Sequence, residues 1–144
     1  MTISKRDINL NQNTILIKNH KSNRTYYGYI NKNYKDIIEE RFNSIRQTEF
    51  MVGSNTIPKS RASIAKSLQP ILNELFNQGI SEEDTKRRTV IHTLRHTFAS
   101  QLAIQNVPIF TIMKLMDHSD INQTIRYSKL APNSAKDNVW GLEI

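Results

Sequence analysis

The spacing of apolar residues changes once along the chain, and this change constrains the fold more than any other feature of the sequence. Before residue 31, apolar and polar residues alternate, beginning with Ile8 and Leu10. Such alternation is typical of strands with one buried face. Residues that favour turns interrupt it at 11–13 and again at 20–23. The sequence therefore predicts a three-stranded antiparallel sheet near the N-terminus, whose last strand is 24–30.

Helical spacing begins at Tyr34 and dominates from there on. A first helix is followed by a stretch rich in Gly, Ser, Asn and Pro, 48–60, which predicts a loop. A second helix is expected from about Ser60 to the break at Gly79. Pro70 lies inside this helix and should kink it or divide it in two, because proline lacks the N–H of the helical hydrogen bond.

Three more helices are predicted in the second half of the chain, over 92–105, 108–116 and 122–127. The first of them is expected to turn three apolar residues towards the core: Leu94, Phe98 and Leu102. The whole chain, 1–144, is predicted to be one domain of the α+β class, mainly helical with a small antiparallel sheet.

The composition favours a polyanionic partner. The net charge is +7, from 20 Lys and Arg against 13 Asp and Glu, and the basic residues are spread along the chain. Neutralising phosphates releases condensed counterions, so such a surplus suits nucleic acid. The absence of cysteine excludes disulfides, thiolate metal sites and cysteine nucleophiles. No apolar run suggests a signal peptide or a membrane span, so we expect a cytoplasmic protein.

Side chains that could carry chemistry lie in three clusters: HTLRHTFAS at 92–100, LMDHSD at 115–120 and TIRYS at 124–128. His92 and His96 have the i, i+4 spacing of a metal pair. The metalloprotease pattern would need Glu at position 93, which is Thr, and no third ligand is evident. We therefore predict no metal and no cofactor, and interpret His96 as a hydrogen-bonded core residue.

Together the clusters resemble the tyrosine recombinase, or phage integrase, family. The catalytic domain of that family carries H-x-L-R-H-T-F-A-[ST], then L-[LM]-G-H-[SK], then a nucleophilic tyrosine. In this chain Arg95 and His118 are 23 residues apart, and His118 and Tyr127 are nine apart, spacings that match the family. The resemblance extends to the N-terminal sheet, where Lys18 occupies the place of the family's hairpin lysine and Lys21 is the alternative.

The resemblance implies an enzyme of site-specific DNA recombination, which integrates or excises a mobile element through a 3′-phosphotyrosyl intermediate. Tyr127 would be the nucleophile, and Arg95 would hold the phosphate with its planar cation. By resemblance, His92 and His118 flank the phosphate as hydrogen-bond donors, and His92 is a candidate acceptor of the tyrosine proton. Lys18 would protonate the departing 5′ oxygen.

The resemblance also implies partners. Double-stranded DNA would be bound, with backbone contacts from four residues: Lys21, Arg24, Arg87 and Arg88. The basic run 86–88 is equally well explained as a solvated charge cluster. Recombinases of this family work as tetramers on paired DNA sites. The C-terminal tail, which has an apolar end, would dock on a neighbouring protomer or fold back on its own domain.

Two departures from the family pattern leave alternatives open. The family's first catalytic arginine precedes Asp7 by more residues than this chain has before it, so we expect a fragment that lacks this arginine and the separate DNA-clamping domain, and cleaves poorly. Asp117 stands where the family has glycine; it either strains the turn and opposes anion binding, or points to solvent or caps the following helix.

These departures support a competing hypothesis, a catalytically inactive DNA-binding remnant of a recombinase. Type IB topoisomerases share the active-site residue types, but the short HTLRHTF block favours the integrase branch. An ordinary helix-turn-helix regulator would bind DNA without forming a covalent adduct, and its binding would be unaffected by Tyr127→Phe.

Overall fold

The computed structural model of the chain describes residues 3–19, 23–54, 56–133 and 140. The chain forms two compact units, Met1–Leu75 and Phe76–Ile144, here called the N-terminal and the C-terminal unit. Each is considered by itself. Among the described residues, no helix combines the length and the apolar character that a membrane crossing requires.

The N-terminal unit contains the predicted three-stranded antiparallel sheet. Its strands are β1 (Ile8–Asn9), β2 (Thr14–Asn19) and β3 (Arg24–Tyr29), paired in the order β1-β2-β3. The turn between β1 and β2 ends at Asn13, whose φ of 52° lies in the left-handed region that asparagine tolerates. The prediction of the sheet is confirmed; the second predicted turn lies largely outside the described residues.

Two helices follow the sheet, α1 (Lys35–Ser44) and α2 (Arg61–Phe76), and the predicted loop separates them; α2 ends one residue past the boundary of this unit. The division of α2 at Pro70 is wrong, since the helix runs through this residue without interruption. The Pro70 side chain is exposed, and its missing N–H costs the helix one hydrogen bond.

The C-terminal unit contains three helices: α3 (Ile91–Ile104), α4 (Ile109–Leu115) and α5 (Asn122–Ile125). A short 3₁₀ helix, Ser128–Leu130, follows α5. The core of this unit is a cluster of buried side chains: Ala99, Ala103, Ile112, Met116 and Tyr127.

The face of α3 that meets the core differs from the predicted one. Leu94 and Phe98 are 45% and 50% exposed, whereas Ala99 and Ala103 are buried; of the three residues expected to face inward, only Leu102 packs against the core. The alanines face inward because α3 contacts both α4 and the 3₁₀ helix, and a small side chain permits close approach of neighbouring backbones.

Candidate active site

Three segments of the C-terminal unit carry the side chains predicted to act in chemistry. Helix α3 carries His92, Arg95 and, one residue later, His96. His118 follows the end of α4, and Tyr127 follows α5. The structure brings these segments together at the C-terminal end of α4, as the following contacts show.

Arg95 is anchored to the end of α4. Its side chain is half-buried, and one guanidinium N–H donates to the backbone carbonyl of Met116 in a very close contact. A guanidinium carries five N–H donors in a fixed plane, so one anchoring bond leaves donors that can serve a ligand. The anchor sets the direction of the planar group beside the turn that leads to His118.

A turn at the end of α4 fixes the position of His118. The N–H of Asp117 donates to the carbonyl of Lys114, and the N–H of His118 donates to that of Met113, each at 3.1 Å. This pair of bonds defines a Schellman motif, which requires a left-handed residue at its centre. Asp117 supplies it with a φ of 49°, a left-handed backbone of the kind that glycine adopts without strain.

The His118 ring is held from its inner side. Its Nδ1 atom lies 2.8 Å from the Oγ1 atom of Thr124, which is fully buried. Burial lowers the pKa of His118, and the nearby cations Arg95 and Arg126 lower it further, while the Asp117 carboxylate opposes the shift. His118 is therefore neutral at pH 7.

The hydroxyl of Tyr127 contacts His96. The Nδ1 atom of His96 lies 2.5 Å from the Tyr127 oxygen, while the Tyr127 side chain belongs to the core and is only 5% exposed. His96 also packs edge-on against the exposed ring of His92, with ring centroids 4.5 Å apart. The sequence predicted a hydrogen bond for His96 but not its partner; the spacing of three and seven residues from Ala99 and Ala103 was the available signal that the ring faces inward.

The pKa of His96 is also lowered. Burial is the largest cause, followed by the charges of His92, Arg126 and Arg95. His96 is therefore a neutral imidazole at pH 7.

Lys18 lies in the N-terminal unit, on β2. Its Nζ atom is 3.3 Å from a carboxylate oxygen of Asp7, and the two side chains are 55% and 9% exposed. Asp7 also accepts hydrogen bonds from the backbone N–H and the hydroxyl of Ser4, at 2.9 and 2.7 Å. Burial alone would raise the pKa of Asp7, but the bonds from Ser4 and the nearby Lys18 hold it below its ordinary value.

The predicted DNA-contacting residues have different surroundings. Arg24 is exposed at the start of β3. The Nε atom of Arg87 lies 2.5 Å from a carboxylate oxygen of Asp84, and Arg88 donates to the carbonyl of Ile80 at 3.4 Å. Lys21 lies outside the described residues, as does most of the C-terminal tail.

Within the described ranges, no group of three His, Cys, Asp or Glu side chains is arranged to hold a metal ion. The α+β fold, together with an arginine, histidines and a tyrosine assembled around one helix end, defines the catalytic domain of a tyrosine recombinase. The model of the phage integrase family matches residues 1–134, and the chain therefore belongs to that family.

Integrases of phages are among its relatives in sequence. The chain is 40% identical to the integrase of Escherichia phage 186 over 48 residues, which are 33% of this chain and 14% of that protein. It is 32% identical to the integrase of Haemophilus phage HP1 (strain HP1c1) over 85 residues, which are 58% of this chain and 24% of that protein. The matches thus span less than a quarter of each of these relatives.

Solved structures share the fold. XerA recombinase superposes with a TM-score of 0.70 and 17% identity, over 96% of this chain and 49% of that one. The catalytic domain of bacteriophage HP1 integrase superposes with a TM-score of 0.61 and 19% identity, over 97% of this chain and 70% of that one. XerH site-specific recombinase, bound to a palindromic difH substrate in a post-cleavage complex, superposes with a TM-score of 0.67 and 17% identity, over 98% of this chain and 40% of that one.

Proposed function

We propose that this chain catalyses the DNA cleavage and rejoining of site-specific recombination, with Tyr127 as the nucleophile. The observation that carries the proposal is the assembly around the end of α4. There Arg95 is bound to the last turn, His118 is fixed by the Schellman motif, and Tyr127 packs against the same helix end.

The reaction requires positive charge and donors around a phosphate. When the Tyr127 oxygen attacks phosphorus, negative charge collects on the non-bridging oxygens, and positioned cations are the main source of catalysis. Arg95 has a permanent charge and a planar fork that fits two phosphate oxygens. The hydrogen bond to Met116 orients the guanidinium before DNA binds. Little conformational entropy is therefore lost at Arg95 when the phosphate is bound.

His118 acts in this proposal as a neutral donor. A buried hydroxyl needs an acceptor, so the Thr124 hydroxyl donates to Nδ1 of His118. The ring proton of the neutral imidazole then lies on Nε2, which can donate to a phosphate oxygen. The exposed His92 supplies a second donor from α3.

Lys18 would protonate the 5′ oxygen as it leaves. The Asp7 carboxylate holds the ammonium group on one side while more than half of the Lys18 side chain stays exposed. Lys21 is the alternative general acid. The product is a 3′-phosphotyrosyl link, which stores the energy of the broken bond, so that rejoining needs no metal, cofactor or ATP.

We further propose that the partner is double-stranded DNA in the bacterial cytoplasm, and that the active form is a tetramer on paired sites, joined through C-terminal tails. Solved relatives with the same fold include recombinases bound to DNA, such as XerH and the Tn1549 transposon integrase. A contact with the DNA backbone is proposed for Lys21, Arg24, Arg87 and Arg88.

The second candidate function is a DNA-binding remnant without catalysis. One observation favours it: the proposed nucleophile is 95% buried, since only 5% of Tyr127 is exposed. A remnant would bind DNA through the same basic residues and form no covalent bond.

A suicide substrate tests the proposal. A pool of nicked duplexes of randomised sequence is incubated with the chain as printed, and with any in-frame upstream coding sequence included. Covalent adducts are isolated under denaturing conditions, and the trapped DNA is sequenced to obtain the preferred site.

We expect adducts from wild type and none from Tyr127→Phe. An adduct stronger in the extended protein would show that upstream residues contribute to cleavage. Salt-sensitive DNA binding without any adduct, from either protein, would overturn the catalytic proposal in favour of the binding remnant.

A further inference from the structure

The Tyr127 hydroxyl lies in a contact that the proposed mechanism has not used. It is 2.5 Å from Nδ1 of His96, across 31 residues of sequence, and it belongs to a ring that is only 5% exposed. A hydroxyl in such a place needs one hydrogen-bond partner of defined geometry, and His96 supplies it.

We propose that His96 is a catalytic residue for DNA cleavage: its Nδ1 atom holds the Tyr127 hydroxyl and accepts its proton as the oxygen attacks phosphorus. This inference deepens the proposed function and rests on Tyr127 being the nucleophile. The sequence-based expectation gave the proton to His92, but it is the ring of His96 that contacts the oxygen.

The step is balanced without a further reactant. The O–H bond of Tyr127 breaks and its proton moves to Nδ1 of His96, while a bond forms between the tyrosine oxygen and phosphorus. The bond from phosphorus to the 5′ oxygen breaks, and that oxygen takes a proton from the general acid proposed above, Lys18. Rejoining reverses each transfer, and His96 then returns the proton to the tyrosine.

The surroundings of His96 suit an acceptor. Charged and titratable groups face it from every element packed around it: His92 and Arg95 on α3, His118 after α4, and Arg126 and Tyr127 after α5. The cations disfavour a positive charge on His96 and keep the imidazole neutral, with a lone pair for the hydroxyl proton.

A second feature is the contact between the rings of His92 and His96. The two rings meet edge-on at 4.5 Å, and His92 is exposed while His96 is half-buried. His92 therefore limits the freedom of the His96 ring from the solvent side, which helps to keep Nδ1 directed at the hydroxyl.

The kinetic test uses the DNA site recovered from the randomised pool. His96→Ala removes the acceptor, and His96→Gln keeps a hydrogen-bonding oxygen that cannot take up a proton. Thr97→Ala is the matched control, because Thr97 is an exposed neighbour on α3 whose hydroxyl bonds within its own helix.

Near neutral pH we expect both His96 variants to form the adduct about 100-fold more slowly than wild type, and Thr97→Ala to match it. The deficit should shrink as the pH is raised, because hydroxide can then take up the proton that His96 no longer accepts. It should persist on a substrate whose leaving 5′ oxygen is replaced by sulfur, since sulfur leaves without a proton. A merely structural role for His96 would give a deficit that does not depend on pH in this way.

A second measurement does not depend on cleavage. In nuclear magnetic resonance titrations of the full chain, Tyr127→Phe should raise the pKa of His96, because the neutral ring loses its donor. An unchanged His96 titration would show that the contact is absent and would overturn the inference.

The two proposals fail in different ways. If wild type forms no adduct, or if the adduct survives in Tyr127→Phe, the proposed function fails and the proton transfer with it. If the adduct depends on Tyr127 but both His96 variants form it at the wild-type rate at every pH, only the inference about His96 fails.

Discussion

The left-handed backbone of Asp117 connects the fold to the site at a single residue. The Schellman motif that ends α4 needs this conformation, and its hydrogen bonds fix the backbone position of His118. Glycine adopts such a backbone freely, while other residues pay a steric penalty that aspartate partly relieves through local hydrogen bonding. Asp117 therefore retains the geometry of the family's glycine at a cost in stability.

Asp117→Gly should raise the free energy of unfolding by about 1 kcal/mol, because the strain of a left-handed non-glycine residue exceeds the entropy that glycine adds to the unfolded chain. Urea denaturation monitored by circular dichroism measures the change. Asp117→Ala is the control, since it removes the carboxylate but keeps the strain. A glycine variant no more stable than the alanine variant would contradict this account.

His96 illustrates what could not be predicted at this scale. The resemblance to a family was sufficient to group Arg95, His118 and Tyr127, and the structure brings those three residues to one helix end. The contact of His96 with Tyr127 joins residues 31 apart, and it depends on how the tyrosine ring packs in the core. The spacing of His96 from Ala99 and Ala103 indicates an inward-facing ring, but no local pattern in the sequence identifies Tyr127 as its partner.

At the scale of elements, periodicity predicted which segments are helical better than which face is buried. The sheet, the loop before α2 and the start of α4 directly after Pro108 agree with the sequence-based expectations. Helix α3 carries apolar residues around much of its circumference, so its own sequence permits more than one inward face. The choice of Ala99 and Ala103 over Leu94 and Phe98 comes from the neighbours of α3, which a periodicity argument does not include.

The loop before α2 depends on one glycine. Gly53 has a φ of 120°, and a Cβ atom there would lie 2.6 Å from the carbonyl oxygen of Ile57 and 2.8 Å from the backbone nitrogen of Lys59. Both atoms belong to the backbone of the opposite side of the loop, where Gly53 pairs with Pro58. They cannot move aside as a flexible side chain would.

Gly53→Ala should therefore lower the free energy of unfolding by about 3 kcal/mol, since it combines backbone strain with a steric clash. Gly79→Ala is the matched control: Gly79 also has a positive φ, 72°, but nothing lies within 4 Å of its added Cβ atom. For that variant we expect a loss of only about 1 kcal/mol. Equal losses in thermal or urea denaturation would show that the clash at Gly53 is relieved by movement of the loop.

For the whole molecule, the depressed histidines predict how stability depends on pH. Burial is the largest cause of the lowered pKa of both His96 and His118. The unfolded chain therefore binds protons at these sites more readily than the folded chain. Their contribution to stability is present above the ordinary histidine pKa of 6.5 and is lost as the pH falls through the lower, folded values.

We expect the free energy of unfolding to fall as the pH drops below 6.5, the ordinary histidine value, and to fall less in the double variant His96→Gln, His118→Gln. Asp7 contributes in the same direction, but only as the pH falls below 3.8, its ordinary value. Urea denaturation at a series of pH values separates the two windows. The same slope in wild type and double variant would assign the dependence to other groups.

The net charge of +7 predicts that DNA binding weakens as salt is added, because each phosphate neutralised by a basic side chain releases counterions. The logarithm of the binding constant should fall linearly with the logarithm of the salt concentration, with a slope of about −0.9 for each phosphate contacted. If Arg24 contacts a phosphate, Arg24→Ala should make the slope less negative by about 0.9. Lys66→Ala removes the same charge from an exposed position on α2 that has no proposed DNA contact. Equal slopes for the two variants, measured by fluorescence anisotropy on one duplex, would mean that the overall charge rather than a defined contact at Arg24 drives binding.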